Sequence, residues 1–270
     1  DSSTSRGLGD VYKRQGLYRT EKTFTRSDDD PLSNDYYGIS NFNSISDRST
    51  INLIDYLGLE NNDNSFTNNF ATPLSDSILG VKYNIVPIKN RRKLPAEQQI
   101  VFTSAFYRSD LIRNKVVKSF KQVQIRKNSS ALPLIFFSPS HKKINFYTSM
   151  PSANQNTLFN SIVGKKINLF NSLYLTNPNK IENIKSTKNV NEYQKINKSK
   201  IATLSFKISS FQKGPYYLEL PSNLDAESVS ITVNGHHLNN QDLGISNKLL
   251  NIGYYSPNIP IKITFKLNNE

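Results

Sequence analysis

The chain has 270 residues, 36% of them hydrophobic, with 15 Phe, 14 Tyr, no Cys and a formal net charge of +13. That is enough length and apolar content for one large domain or two modest ones, and too much apolar content for a disordered chain. The absence of Cys excludes disulfides, thiolate chemistry and Cys-built zinc sites, and no run of about eighteen apolar residues is present to span a bilayer.

In chain order, Asp10-Val-Tyr-Lys-Arg-Gln15 comes first. It back-translates to GAT GTG TAT AAG AGA CAG, which resembles the transposon mosaic end used in preparing sequencing libraries. Residues 1–15 are therefore read as a non-native scar and excluded from the fold, and the native chain is expected near Gly16 with sequence missing before it. Leu17–Phe24 reads as a strand, Arg26-Ser-Asp-Asp-Asp-Pro31 as a turn closed by proline, and Tyr37–Phe42 as a second short strand. Asp47 or Ser49 caps a helix running to about Leu57, with Ile51, Leu53, Ile54 and Leu57 on its apolar side and Gly58 as its stop. Asn61–Asn69 is a polar loop. Beyond it, Leu74, Ile78 and Leu79 share a helical face, Gly80 stands just past the helix end, and Val81, Tyr83 and Ile85 alternate as in a strand.

Lys89–Pro95 is a basic loop, followed by strands over Gln99–Phe106 and Val116–Ile125, a turn at Asn128-Ser-Ser130, a short strand over Leu132–Phe137 and a helix over Asn154–Gly164. Residues 177–200 are polar and rich in Asn and Lys, and read as a linker or long loop. A strand series follows: Ala202–Ile208, Tyr216–Leu220, Val229–Val233, Leu249–Ile252 and Ile259–Leu267. Turn residues separate its members, Asn234-Gly235 being a strong hairpin signal. The expected fold is α+β, mainly β: a mixed α/β region over 16–176, then an antiparallel β-sandwich or jelly-roll-like region over 201–270.

Candidate chemistry is sparse. Asp28-Asp-Asp30, with Asp35 nearby, lacks the spacing of a calcium loop, and adjacent aspartates in a turn are usually caps. His236 and His237 are consecutive on a strand and point to opposite faces, which does not suit one metal. There is no Gly-Xaa-Ser-Xaa-Gly elbow, phosphate loop or dinucleotide fingerprint. No catalytic residue, metal ligand or cofactor is assigned.

The basic excess favours polyanionic neighbours. Arg91, Arg92 and Lys93 are the candidate polyanion-binding residues, with Lys142-Lys143 and Lys165-Lys166 as the other tight clusters. Nucleic acid is not expected as a partner, since that reading rests on charge alone. Tyr216, Tyr217, Tyr254 and Tyr255 are candidates for stacking on a glycan, set against the alternation of strands, which makes one Tyr of each pair core and the other surface. Asn is about one residue in eight, as an AT-rich coding sequence would produce.

Several phrases carry a resemblance. They are Tyr18-Arg-Thr-Glu-Lys22, Asn34–Ser44, Tyr56-Leu-Gly-Leu59 and Thr72–Val86, with weaker agreement at Val123–Leu134 and Gln155-Asn-Thr-Leu158. Together they resemble the YfhO family of large bacterial membrane proteins. The resemblance implies an extracytoplasmic domain at the bacterial cell membrane, whose partner is an upstream transmembrane body of the same protein. It further implies a parent glycosyltransferase that moves sugar from a lipid-phosphate carrier to teichoic-type polymers. Its catalytic carboxylate would lie in the membrane body, leaving this chain an accessory or acceptor-positioning role toward an anionic cell-wall polymer. The alternative is a free-standing carbohydrate-binding or adhesin module of the cell surface.

Overall fold

The computed structural model describes residues 17–88, 95, 104–105, 108–139, 143–187, 193–222, 224, 229–238 and 248–267. The segment 1–15, the Arg91-Arg92-Lys93 cluster and most of the strand expected over Gln99–Phe106 lie outside these residues. The elements, in order, are β1 (Arg19–Lys22), β2 (Phe24–Thr25), α1 (Asp30–Ser33), β3 (Asn41–Phe42), α2 (Arg48–Tyr56), β4 (Ser65–Phe66), α3 (Pro73–Ile78), β5 (Val81–Pro87) and β6 (Ser104–Ala105). A 3-10 turn (Ser109–Arg113), β7 (Lys115–Ser119), β8 (Val123–Lys127) and α4 (Pro151–Val163) complete the first region. The second holds β9 (Lys180–Glu182), β10 (Ile184–Ser186), β11 (Tyr193–Lys195), β12 (Ala202–Ser209), β13 (Gly214–Leu220), β14 (Val229–Val233), β15 (His236–His237), β16 (Lys248–Tyr255) and β17 (Pro260–Leu267). The fold is α+β and mainly β, as composition and strand spacing predict.

The first region is built on a four-stranded sheet of order β1-β5-β8-β7, with β1 and β5 parallel and the remaining pairs antiparallel. Helix starts follow the sequence closely. Asp47 accepts from the Thr50 amide at the start of α2, and Thr72 and Ser75 form a reciprocal capping box at α3. Gly58 and Gly80 both take a positive φ, and a side chain at either would collide with Pro151 or Leu134. The expected strand over Val116–Ile125 is instead two strands. The chain turns at Phe120, whose amide donates to the Val123 carbonyl at 2.8 Å, so β7 and β8 fold back on each other. Leu132–Phe137 is not a strand. Pro133 has no N–H to give a ladder, and the Leu132 amide bonds the Ser77 carbonyl at the end of α3 (2.9 Å).

The second region is antiparallel throughout. A five-stranded sheet of order β15-β14-β17-β12-β9 lies over the β13–β16 ribbon, and their facing side chains form one core around Ile231, Ile261, Ile263, Val229, Leu218 and Leu250. Strand alternation explains it: Ile261 and Ile263 in β17 point inward between outward Lys262 and Thr264. The polar stretch 177–200 is tied into this region. β9 is the edge strand beside β12, and β10 pairs with β11. Asn183, in the left-handed region at φ 56°, donates its amide to the carbonyls of Asn197 and Lys200.

Candidate functional site

Charged and polar groups gather in three places, and their surroundings differ. The first lies where the two regions meet. Arg108, just before the 3-10 turn, grips Asp110 through Nε (3.0 Å) and a terminal nitrogen (2.6 Å), and reaches Asp76 of α3 at 2.9 Å. Asp76 also accepts from Asn68 at 3.0 Å. From the other region, Asn251 of β16 accepts from the Ser109 hydroxyl (2.7 Å) and donates to Asp110 (3.3 Å). Every one of these side chains is buried. Burial alone would push the Arg108 guanidinium toward neutrality, but the Asp110 and Asp76 carboxylates outweigh it and hold its pKa above the ordinary value. The same burial, with Asp110 close by, raises the Tyr217 phenol well above its usual range. A buried, hydrogen-bonded ion cluster of this kind joins the elements that supply its members.

The second place is a cleft of about 1330 Å³ between the sheet of the second region and α4 with the chain that follows it. Its walls are mostly hydrocarbon, including Phe159, Leu173, Leu204, Phe206 and Ile208, with Asp110, Arg113 and Glu219 among the polar residues that also line it. Of the tyrosine pairs, Tyr216 and Tyr217 line it and Tyr254 and Tyr255 do not. Tyr216 and Tyr255 pack together edge-to-face at 5.7 Å against the sandwich core, and the Tyr216 hydroxyl is held by the Phe211 and Gln212 backbone. Tyr217 turns the other way, with its hydroxyl buried beside the Arg108 cluster, and Tyr254 lies under the Arg113 guanidinium at 5.8 Å. All four tyrosines are partly buried.

The third place is the outer face of the five-stranded sheet. Lys207 stands directly opposite Lys262, and Lys266 opposite Thr203 and Ser230. Lys180 shares this face, as the cross-strand partner of Ser205. All four lysines are exposed. Serines and threonines lie between them, with Ser205 and Thr264 joined hydroxyl to hydroxyl at 2.9 Å. Among the described residues of the five strands, Glu182 is the only acid, and it pairs with Lys180 at 2.7 Å. Like charges directly opposite on a sheet cost stability, so this arrangement gains nothing from folding.

Elsewhere, Asp30 is paired with Lys22 and accepts from the Arg26 amide, while Asp29 accepts from the Phe42 amide. These aspartates therefore shape the turn. His236 and His237 are exposed on β15. Among the described residues no group of three or more His, Asp or Glu converges to hold a metal. Sequence patterns did not mark Arg108, Asp110 or Asn251, because their pairing joins segments 32 to 142 residues apart.

A family model described as bacterial membrane protein YfhO matches residues 2–270. No curated protein and no solved structure matches the chain.

Proposed function

Because the chain belongs to the YfhO family of bacterial membrane proteins, we propose that it is the extracytoplasmic domain of a membrane glycosyltransferase and positions an anionic cell-envelope acceptor. No helix among the described residues is long and apolar enough to cross a membrane. The catalytic step belongs to a membrane body, and the domain contributes binding. One observation carries the acceptor role: the lysine face of Lys207, Lys262 and Lys266, with Lys180 at its edge beside Glu182, the one acid of these strands among the described residues. A flat sheet face with lysines in rows and hydroxyls between them suits a repeating phosphate polymer, which is recognised by spaced point charges and hydrogen bonds to phosphate oxygens. Teichoic-type polymers have that chemistry.

Among the described residues none is assigned a catalytic role. Of the buried acids, Asp76 and Asp110 are engaged with Arg108, Asp30 with Lys22, and Glu21 with the backbone amides of Ile39 and Ser40. The stacking alternative for the tyrosines has less support, since Tyr216 and Tyr255 are engaged with each other and Tyr254 with Arg113.

Binding of a soluble glycerol-phosphate polymer to the purified chain tests the proposal. The double reversal Lys207→Glu/Lys262→Glu is expected to weaken binding by at least roughly tenfold, and a neutral glucan is expected not to bind. Binding untouched by the reversal would refute the lysine face. Equal retention of duplex DNA would remove its selectivity for the polymer.

A further inference from the structure

The two chain segments flanking α4 carry large apolar side chains that face water. Ile135 is 81% exposed and Phe137 fully so, with Phe136, Ile167 and Leu169 each more than a third exposed. These residues converge at one end of α4. The Ser138 hydroxyl donates to the carbonyls of Ser161 and Ile162 in the last turn of the helix (3.0 and 3.3 Å), and Pro139 sits against Gly164, the left-handed residue that ends it. From the other side, the Ile167 amide donates to Asn160 (2.8 Å), and those of Leu169 and Phe170 to Asn156 (2.9 and 3.3 Å). Both segments are thus pinned to the helix by hydrogen bonds while Ile135 and Phe137 stand in water; Leu169 is exposed at the edge of the cleft that it lines with Phe159, Ile162 and Val163. Lys165 and Lys166 stand exposed between them.

An aromatic and aliphatic cluster held rigidly in water, with two lysines beside it, is costly in solution and favourable at an anionic lipid interface. There the rings enter the headgroup boundary and the ammonium groups meet phosphate. The geometry points to this tip, Ile135–Phe137 with Lys165–Leu169, as a membrane-docking element that seats the domain on the outer surface of an anionic bilayer. The occupant is the lipid surface itself, because hydrocarbon and positive charge occur side by side at the tip and because the chain belongs to a membrane-protein family. The inference rests on the location proposed above and adds the orientation: the end of α4 faces the lipid.

The chain contains no Trp, so Phe137→Trp introduces a single reporter. With vesicles of phosphatidylcholine and phosphatidylglycerol, its emission is expected to shift to the blue and to be quenched by bromine-labelled acyl chains. Replacing Ile135 and Phe136 with Ser in that background is expected to weaken partitioning by roughly tenfold or more, since each side chain loses its apolar transfer energy. Lys165→Glu/Lys166→Glu is expected to weaken it by roughly fivefold or more on anionic vesicles and hardly at all on pure phosphatidylcholine. These side chains are exposed, and circular dichroism should be unchanged in every variant. Absent vesicle binding, an unmoved tryptophan spectrum, or binding that the tip variants leave intact would overturn the inference, and docking of the tip on protein instead would give the first of these. Failure of the lysine face would look different, as lost binding of soluble polymer with the tryptophan shift retained.

Discussion

The junction around Arg108 and the outer sheet face around Lys207 are both charged, yet they are opposites. At the junction one guanidinium meets two carboxylates and amides from four segments, inside the protein. On the sheet face four ammonium groups share a surface with one acid. The junction's charges find their partners within the protein, and those of the sheet face are left to find theirs outside. Formal charge therefore says little about partners until its local surroundings are known, and on the sheet face Lys207, Lys262 and Lys266 stand together while Glu182, the one acid of these strands among the described residues, is taken by Lys180.

The largest effect should come from breaking the junction. Arg108→Met leaves Asp76 and Asp110 buried without a cation and is expected to cost about 3–5 kcal/mol in chemical denaturation, a large share of the stability of an ordinary domain. A cost below about 1 kcal/mol would mean that water already reaches the cluster. Glu21 offers an intermediate case, a buried carboxylate held by backbone donors. It accepts from the amides of Ile39 and Ser40, and burial raises its pKa to about 7. The folded value lies above the unfolded one, so its stabilising share is complete below about pH 4.5 and lost as pH rises to about 7. Glu21→Gln should therefore be more stable than the parent by up to about 3 kcal/mol above pH 7, with little difference near pH 4. Thermal melts across that range would test it, and a gap that does not depend on pH would contradict it.

Gln155 sharpens the comparison from the neutral side. It donates to the Leu57 carbonyl and accepts from the Thr72 hydroxyl, both at 2.6 Å and both buried. Gln155→Leu should cost about 1–3 kcal/mol by leaving those groups unsatisfied. At the far end of the scale, Lys207→Ala and Lys262→Ala should change folding stability by no more than about 0.5 kcal/mol, and the change should be favourable, because each removes a like-charge pair. Equilibrium unfolding of the two variants separates this from a structural role, in which both would destabilise.

Local signals made much of the fold legible. The caps at Asp47 and Thr72, the stops at Gly58 and Gly80 and the alternation in β12, β14 and β17 all follow from neighbours in the chain. The family phrases turn out to be contacts with one another. Tyr18–Lys22 meets Asn34–Ser44 at Glu21, and Tyr56–Leu59 and Thr72–Val86 both meet Gln155. What was not legible depended on distant partners. Arg108 looked like one of many scattered bases, and Lys207 and Lys262 became a pair only once β12 and β17 were in register. The abundant Asn, attributed to codon usage, also has structural uses: Asn154, Asn156, Asn160 and Asn183 tie loop backbone that has no strand to join. Of the tyrosine pairs, Tyr216 and Tyr255 pack on the sandwich core, while Tyr217, next to a register shift in the β13–β16 ribbon, is not at the surface as alternation predicts but buries its hydroxyl beside Arg108.

The central claim is that the lysine face of the five-stranded sheet holds a phosphate polymer. The salt dependence of affinity for a glycerol-phosphate polymer tests it most directly, comparing the parent chain with Lys207→Ala, Lys262→Ala and the double variant. Each lysine removed should lower the slope of log affinity against log salt by roughly one at most, the double variant showing the sum. A slope that is the same in all four proteins would contradict the claim.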